Sequence, residues 1–210
     1  MSILIQGSVG PQAKAAGDGT PIELRAGRTG ELAVVELHGR YFEAMRVGLM
    51  FSAANQAAQA VSVALTTTYT GILLYNPVGS GKILVPNKWK YALSVAPGAI
   101  SVLGLLQGYS ATGGVTAQTT KLTTLSNQIG NSGVGVGIAL SAATITTPTV
   151  LAALWDGFTA SSLPNPTVPV DLEGAVGILP GGYVGIYALT AVTGIGSVFW
   201  EEIDLIGGGT

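Results

Sequence analysis

Gly79-Ser80-Gly81-Lys82 is the stretch that looks most like a phosphate-binding loop. The full pattern puts a glycine five residues before the second glycine and Ser or Thr after the lysine. Those positions hold Asn76 and Ile83, and no helix follows. A turn of hairpin type with a solvated lysine accounts for the same residues. His38 is the only histidine, and the chain has no cysteine. A catalytic triad or zinc site built on it lacks partners, so a structural imidazole near a strand end is the plainer reading. Asp171 and Glu173 are two apart, as are Glu202 and Asp204, so on a strand each pair shares a face. A glycosidase needs two carboxylates facing each other across a cleft. Same-face pairs fit a solvated strand face or a weak Ca²⁺ site instead.

Arg25, Arg28, Arg40 and Arg46 interleave with Tyr41 and Phe42. A nucleic-acid patch has this composition, but Glu23, Glu31, Glu36 and Glu43 cancel the local field. A mixed-charge docking surface fits better, since Arg and aromatic residues carry the energy at interfaces. Trp89, Trp155 and Trp200 could line a sugar platform. Buried tryptophan in a β-sandwich core is the commoner fate.

Between Tyr91 and Trp155 the one formal charge is Lys121. Charged residues make up 10 % of the 210-residue chain, against about a quarter in ordinary domains. The run is filled with Gly, Ala, Thr, Ser, Val and Leu, too polar for lipid and too uncharged for a monomer surface. It is expected to face another copy of the chain or a neighbour in an assembly. Net charge is −2, which offers no field for nucleic acid or an anionic membrane. Mean hydropathy is +0.51, yet the best apolar run, 93–106, is interrupted by Pro97-Gly98 and is shorter than the ~20 residues of a spanning helix. No membrane segment, no signal peptide and no cofactor are expected.

The elements read as β. Glycine, at 31 residues, is about twice its usual share and falls between short apolar runs, as in turn-rich β proteins. Residues 1–30 are broken by Gly and Pro and read as an arm. Residues 40–48 fit either a strand or a short helix, and 53–60 a loop or a turn of helix. Trp89, Tyr91, Leu93 and Val95 alternate with Lys88 and Lys90, so one face is buried and the other wet. Residues 108–135 read as a long loop or weak edge strands, and 136–155 as one or two strands. Residues 183–190 and 197–205 read as a hairpin with a long connection. Turn signals every 8–12 residues mark a sandwich or barrel. The expected fold is all-β: an antiparallel β-sandwich of jelly-roll type over 50–210, after an extended N-terminal arm and docking segment over 1–49.

Four strings carry a resemblance: ELAVVELHGRYFEAMRV (31–47), GILLYNPVGSGKILV (71–85), PGGYVGIYALTAVTG (180–194) and WEEI (200–203). They resemble virion structural proteins of tailed bacteriophages, the small jelly-roll proteins that decorate or cement a capsid or cap its fibres. The resemblance implies a homotrimer on the capsid surface that clamps joints between major capsid protein subunits, assembled in the host cytoplasm. It implies no catalysis, no nucleic-acid partner and no membrane. On this reading Arg25, Arg28, Arg40, Tyr41, Phe42 and Arg46 are the capsid-docking candidates. Two other readings stay open. One is a receptor-binding or fibre-tip module that recognises a host glycan through 108–135 and 156–170. The other is a cupin or lectin-like hydrolase, which needs a metal or a carboxylate pair in a cleft.

Overall fold

The computed structural model of the chain describes residues 39–205 apart from 64, 96, 97, 100 and 159–167. The chain divides into two units, Met1–Phe42 and Glu43–Thr210. Of the first unit only 39–42 are described, so the expected arm, Arg25, Arg28 and His38 lie outside the described residues.

The ambiguous stretch 40–48 resolves into a short helix, α1 (Phe42–Arg46), with Glu43 in its first turn and Arg46 in its last. Those charges suit the two ends of a helix dipole. Among the described residues twelve strands follow: β1 (Met50–Ala54), β2 (Gln59–Ala60), β3 (Thr68–Tyr75), β4 (Lys82–Val95), β5 (Ser101–Tyr109), β6 (Val115–Lys121), β7 (Leu125–Ser126), β8 (Ile138–Ile145), β9 (Thr149–Phe158), β10 (Val168–Asp171), β11 (Gly182–Ala188) and β12 (Thr193–Asp204). They form two antiparallel sheets. Sheet one runs β10-β4-β12-β1-β7, with β2 also on β12, and sheet two runs β6-β8-β3-β11-β5-β9.

Alternation in β4 works as the sequence predicts through Tyr91 and fades beyond it, where Leu93 is half-buried and Val95, expected on the buried face, is exposed at the strand end. Trp89 and Tyr91 are buried, Lys90 is exposed, and Lys88 pairs with Asp171 at 3.0 Å. The weak edge strands expected in 108–135 are β6 and β7, each at the end of a sheet. Residues 136–155 supply β8 and most of β9. The 53–60 segment is the end of β1, a turn and β2, with no helix.

Two expectations need correction. Residues 183–190 and 197–205 do not form a hairpin, because β11 lies in sheet two and β12 in sheet one. Val192 in the connection is buried in the core, and its carbonyl accepts from Val61 N at 2.9 Å. The chain therefore crosses between layers there. The Gly79–Gly81 turn is likewise a corner between β3 and β4, which sit in different sheets.

The core lies between the sheets: Ile72, Leu74, Leu105 and Ile186 from sheet two meet Leu84, Trp89, Val198 and Trp200 from sheet one. A second cluster, built on Tyr69, Leu73, Leu106, Leu140, Tyr183 and Tyr187, covers the other face of sheet two. The middle of that sheet is buried on both faces, which is why β11 is buried at every position and shows no polar alternation, while the edge strand β6 is exposed beyond Val115.

Tyrosine over glycine builds this second layer. Tyr183 stands directly opposite Gly108, and Tyr187 opposite Gly104. Tyr91 stands opposite Gly196 on the core side. A bare glycine leaves a gap on a sheet, and a cross-strand aromatic ring covers it. Much of the glycine excess thus lies inside strands under rings, in addition to the turns. The ring hydroxyls find backbone acceptors: the single Tyr69 hydroxyl proton is shared between Ile72 O and Ile186 O, both at 2.8 Å, and Tyr183 donates to Thr146 O at 2.6 Å.

Burial pushes the Tyr183 phenol up to about 12 and lifts those of Tyr69 and Tyr91 well above the ordinary value. The unfolded chain loses these protons near pH 10, and the folded chain keeps them. Their stabilising contribution is therefore complete below pH 10 and is lost as pH climbs toward and past 12. Absorbance at 295 nm followed with far-UV circular dichroism tests this. Three of the seven tyrosines should ionise only as the β signal disappears; ionisation of all seven in an intact β spectrum would refute it.

Candidate functional site

Most of the groups that could do catalytic chemistry are committed to structure. At the 79–82 corner, Asn76 Nδ2 donates to Lys82 O at 2.8 Å and Ile178 O at 2.7 Å, and Ser80 Oγ donates to Asn76 Oδ1 at 2.6 Å. Lys82 pairs with Asp204 at the surface, where the carboxylate stays mostly exposed. Asp171 is taken by Lys88, and Glu173 sits in the following turn with φ 50°, off the strand face it was expected to share. Among the described residues no group of three His, Cys, Asp or Glu side chains is placed to hold a metal. Trp89 and Trp200 are fully buried, which removes them as a sugar platform. The side chain of Trp155 lies outside the described residues. No helix among the described residues is long and apolar enough to cross a membrane.

Glu202 is the exception to the solvated-acid reading of the pair with Asp204. It lies on the same face of β12 as Val198 and Trp200 and is 3 % exposed. Its Oε2 accepts from Val136 N at 2.9 Å, and its Oε1 accepts from Gly137 N at 2.9 Å and Trp200 Nε1 at 3.0 Å. A buried carboxylate costs free energy unless its lone pairs are satisfied, and three donors satisfy this one. Gly135 and Gly137 leave the space: a Cβ at Gly135 would lie 2.5 Å from Glu202 Oε1, and one at Gly137 2.8 Å from Trp200 Nε1. The carboxylate pins the end of the 127–137 loop to sheet one.

The rest of that loop is also tied down. Asn127 N donates to Met50 O at 3.0 Å, and Gln128 Nε2 donates to Arg46 O at 2.6 Å. Asn131 Nδ2 donates to Gln128 Oε1, and Gly133 N to Asn131 Oδ1 at 3.0 Å. On this braced loop Ile129 is 96 % exposed and Val134 90 %. Val47, after α1, and Leu125, on β7, are also more than half exposed. Sequence reasoning missed this surface, because Ile129 and Val134 are single aliphatics in a Gly, Asn and Ser run that reads as plain loop.

The docking candidates divide between the two units. In the first, the Arg40 guanidinium stands 6.0 Å from the Tyr41 ring centroid, a cation–π distance, and Phe42 opens α1. In the second, Arg46 pairs with Glu43 at 2.8 Å, and both side chains are mostly exposed. Arg46 also gives its carbonyl to Gln128, which joins it to the loop margin.

Charge is segregated between the sheets. The six strands of sheet two carry Lys121 and Asp156 alone, while those of sheet one carry Lys82, Lys88, Lys90, Asp171, Glu201, Glu202 and Asp204. A shallow groove of about 330 Å³ opens between the 55–59 turn and 120–123. Its lining includes Asn55, Gln56, Gln59, Thr120, Lys121 and Ser141, and Asn55 Oδ1 is buried without a hydrogen-bond partner. Compared with family models, with curated proteins and with solved structures, the chain gives no match.

Proposed function

We propose that the chain is a non-enzymatic virion structural protein of tailed-phage type, a decoration or cement protein that binds the lattice of a major capsid protein and stabilises it, itself a homo-oligomer of trimeric order. Its sandwich reads as a jelly roll. With β1, β3, β4, β5, β9, β10, β11 and β12 taken as strands one to eight, the sheets run 1-8-3-6 and 2-7-4-5. That is the interleaved order of two Greek keys, and β6, β7 and β8 are then an insertion between the fourth and fifth strands.

The observation that carries the reading is the charge segregation, together with the commitment of Lys82, Lys88, Asp171, Glu202 and Asp204 to ion pairs or hydrogen bonds. A protein whose ionisable groups hold its own fold together has surface to offer rather than chemistry. Charge depletion belongs to the cores of protein interfaces, and many weak sites on one shell act together by avidity. The docking segment lies within 1–49, with Arg25, Arg28, Arg40, Tyr41, Phe42 and Arg46 as its contacts.

The test uses empty heads of the same virus assembled without this protein. Full-length chain should bind them saturably and raise their resistance to heat. A chain lacking 1–46 should keep its β spectrum and oligomer mass but lose binding by about 100-fold or more. A full-length chain that does not bind refutes the cement reading, and a truncated chain that still binds refutes the docking segment.

A second reading, a receptor-binding or fibre-tip module for a host glycan, is favoured by the groove in which amides and hydroxyls stand among Ala57, Ala58 and Leu122, with its unpaired Asn55 Oδ1. Saturable binding of the free protein to host cells, abolished by Gln56→Ala with Thr120→Ala, would support it. Binding that survives both substitutions would not.

A further inference from the structure

We infer that the groove between the 55–59 turn and 120–123 takes an acidic sugar, with its carboxylate on Lys121 and one of its hydroxyls on Asn55 Oδ1. The inference rests on the glycan reading and names the class of sugar.

The first argument is a fixed acceptor. Ser141 stands at an irregularity of β8: Thr120 pairs with Ala142 and Lys121 with Leu140, so the ladder to β6 passes over it. Its carbonyl accepts from Gln59 Nε2 at 2.7 Å. A carbonyl only accepts, so the Gln59 amide must keep its NH₂ on that side and turn Oε1 away. Gln59 Oε1 in turn accepts from Asn55 Nδ2 at 3.0 Å. Reversing the Asn55 amide would set one carbonyl oxygen against another, so Oδ1 is the end left over. Asn55 is 6 % exposed, and its Oδ1 has no partner. A buried acceptor without a donor is costly, and the relay holds this one in the wall of an open groove. A ligand hydroxyl supplies the missing proton.

The second argument selects the charge and the class. Lys121 lines the same groove at the end of the edge strand β6. It is the one formal charge between Tyr91 and Trp155 and is exposed. Among the described residues no carboxylate pairs with it, and no Asp or Glu lines the groove. The local field is therefore positive and draws an anionic group. Ala57, Ala58 and Leu122 give aliphatic surface for the C–H face of a sugar ring. A volume of about 330 Å³ is small for a ligand site. A hydroxyl donor, a carboxylate and an apolar ring face on a molecule of that size are the features of an acidic sugar.

Titration of the full chain with glucuronate, galacturonate and N-acetylneuraminate, beside glucose, galactose and N-acetylglucosamine, decides the matter. Calorimetry gives the affinities. Amide NMR spectra give the place, because the side-chain NH₂ signals of Asn55 and Gln59 should both move when Oδ1 gains a donor. An acidic sugar should bind more tightly than the neutral ones, and the difference should shrink as salt rises. Lys121 is exposed, so Lys121→Gln should keep the melting temperature. It should lower affinity for the acidic sugar about 10-fold or more and leave neutral sugars unaffected. Neutral sugars that bind as tightly as acidic ones while moving the same two amides overturn the acid preference and leave the glycan reading standing. An acidic sugar that binds Lys121→Gln as well as wild type, or leaves both amides unmoved, overturns this site. If no sugar of either kind binds, the glycan reading falls and the inference with it.

Discussion

Glu202→Ala should destabilise the sandwich by about 3 kcal/mol or more, which lowers the melting temperature by roughly 6–12 °C for a chain of this size. The substitution removes an acceptor that three N–H groups share, those of Val136, Gly137 and Trp200. Each becomes a donor with no partner. Trp200 is fully buried, so water does not replace the carboxylate at the indole without opening the core. A buried donor left unsatisfied costs about 1–3 kcal/mol, and the low end of that range summed over three sites sets the estimate. Glu202→Gln separates hydrogen bonding from charge. Its carbonyl can take the place of Oε1 and keep Gly137 N and Trp200 Nε1, but its NH₂ then faces Val136 N. An intermediate loss is expected. Thermal melts followed by circular dichroism give the ranking, and an alanine variant within about 1 kcal/mol of wild type would show that the carboxylate is dispensable. Amide hydrogen exchange adds a local readout, because Val136 and Gly137 should lose protection before the strands do.

The role of Glu202 was partly legible. Val198, Trp200 and Glu202 share one face of a strand by alternation alone, so an acid two residues beyond a tryptophan was already pointed at the core. Reading it with Asp204 as a solvated pair ignored that neighbour. The inward Trp89 and Tyr91 and the outward Lys88 and Lys90 followed from the same rule and came out as expected. Layer assignment did not follow. Leu189-Thr190-Ala191-Val192 permits either a return beside β11 or a crossing to sheet one, since both put Val198 and Trp200 on a buried face. Long-range contacts decide, here the seating of Val192 in the core and its bond to Val61 N. The two-layer, turn-rich all-β architecture was legible because short strands and frequent turns are local properties. The exposed loop was not, because exposure of Ile129 depends on what the rest of the chain leaves uncovered.

The tyrosine–glycine pairs had a signal that alternation hides. Tyr183 and Tyr187 are four apart, as are Gly104 and Gly108, and antiparallel pairing sets each ring against a glycine. Equal spacing of large and absent side chains on two strands is a register mark, and it becomes visible once the strands are known to be neighbours.

That register supplies the other large effect. A Cβ at Gly108 would lie 2.5 Å from Tyr183 Cζ and 2.7 Å from its Cε1, where no carbon fits. The ring cannot swing clear, because it is 1 % exposed and its hydroxyl is bonded to Thr146 O. Gly108→Ala should therefore cost about 2–3 kcal/mol as overpacking. The three nearest atoms all belong to Tyr183, so shrinking that ring should relieve the strain. In the Gly108→Ala, Tyr183→Leu double variant the loss should fall short of the two single losses added together by at least about 1 kcal/mol. Gly194 is the contrasting case. A Cβ there meets the carbonyl oxygen of Ala92 as well as the Tyr91 ring, 2.8 Å from Cε1. Tyr91→Leu leaves that carbonyl in place, so Gly194→Ala should cost about 3 kcal/mol or more with little rescue. Denaturant melts of the two cycles side by side test whether rings or backbone set the limit. Additive losses at Gly108 with Tyr183 would refute the pairing, and full rescue at Gly194 by Tyr91→Leu would show that β4 and β12 can part without cost.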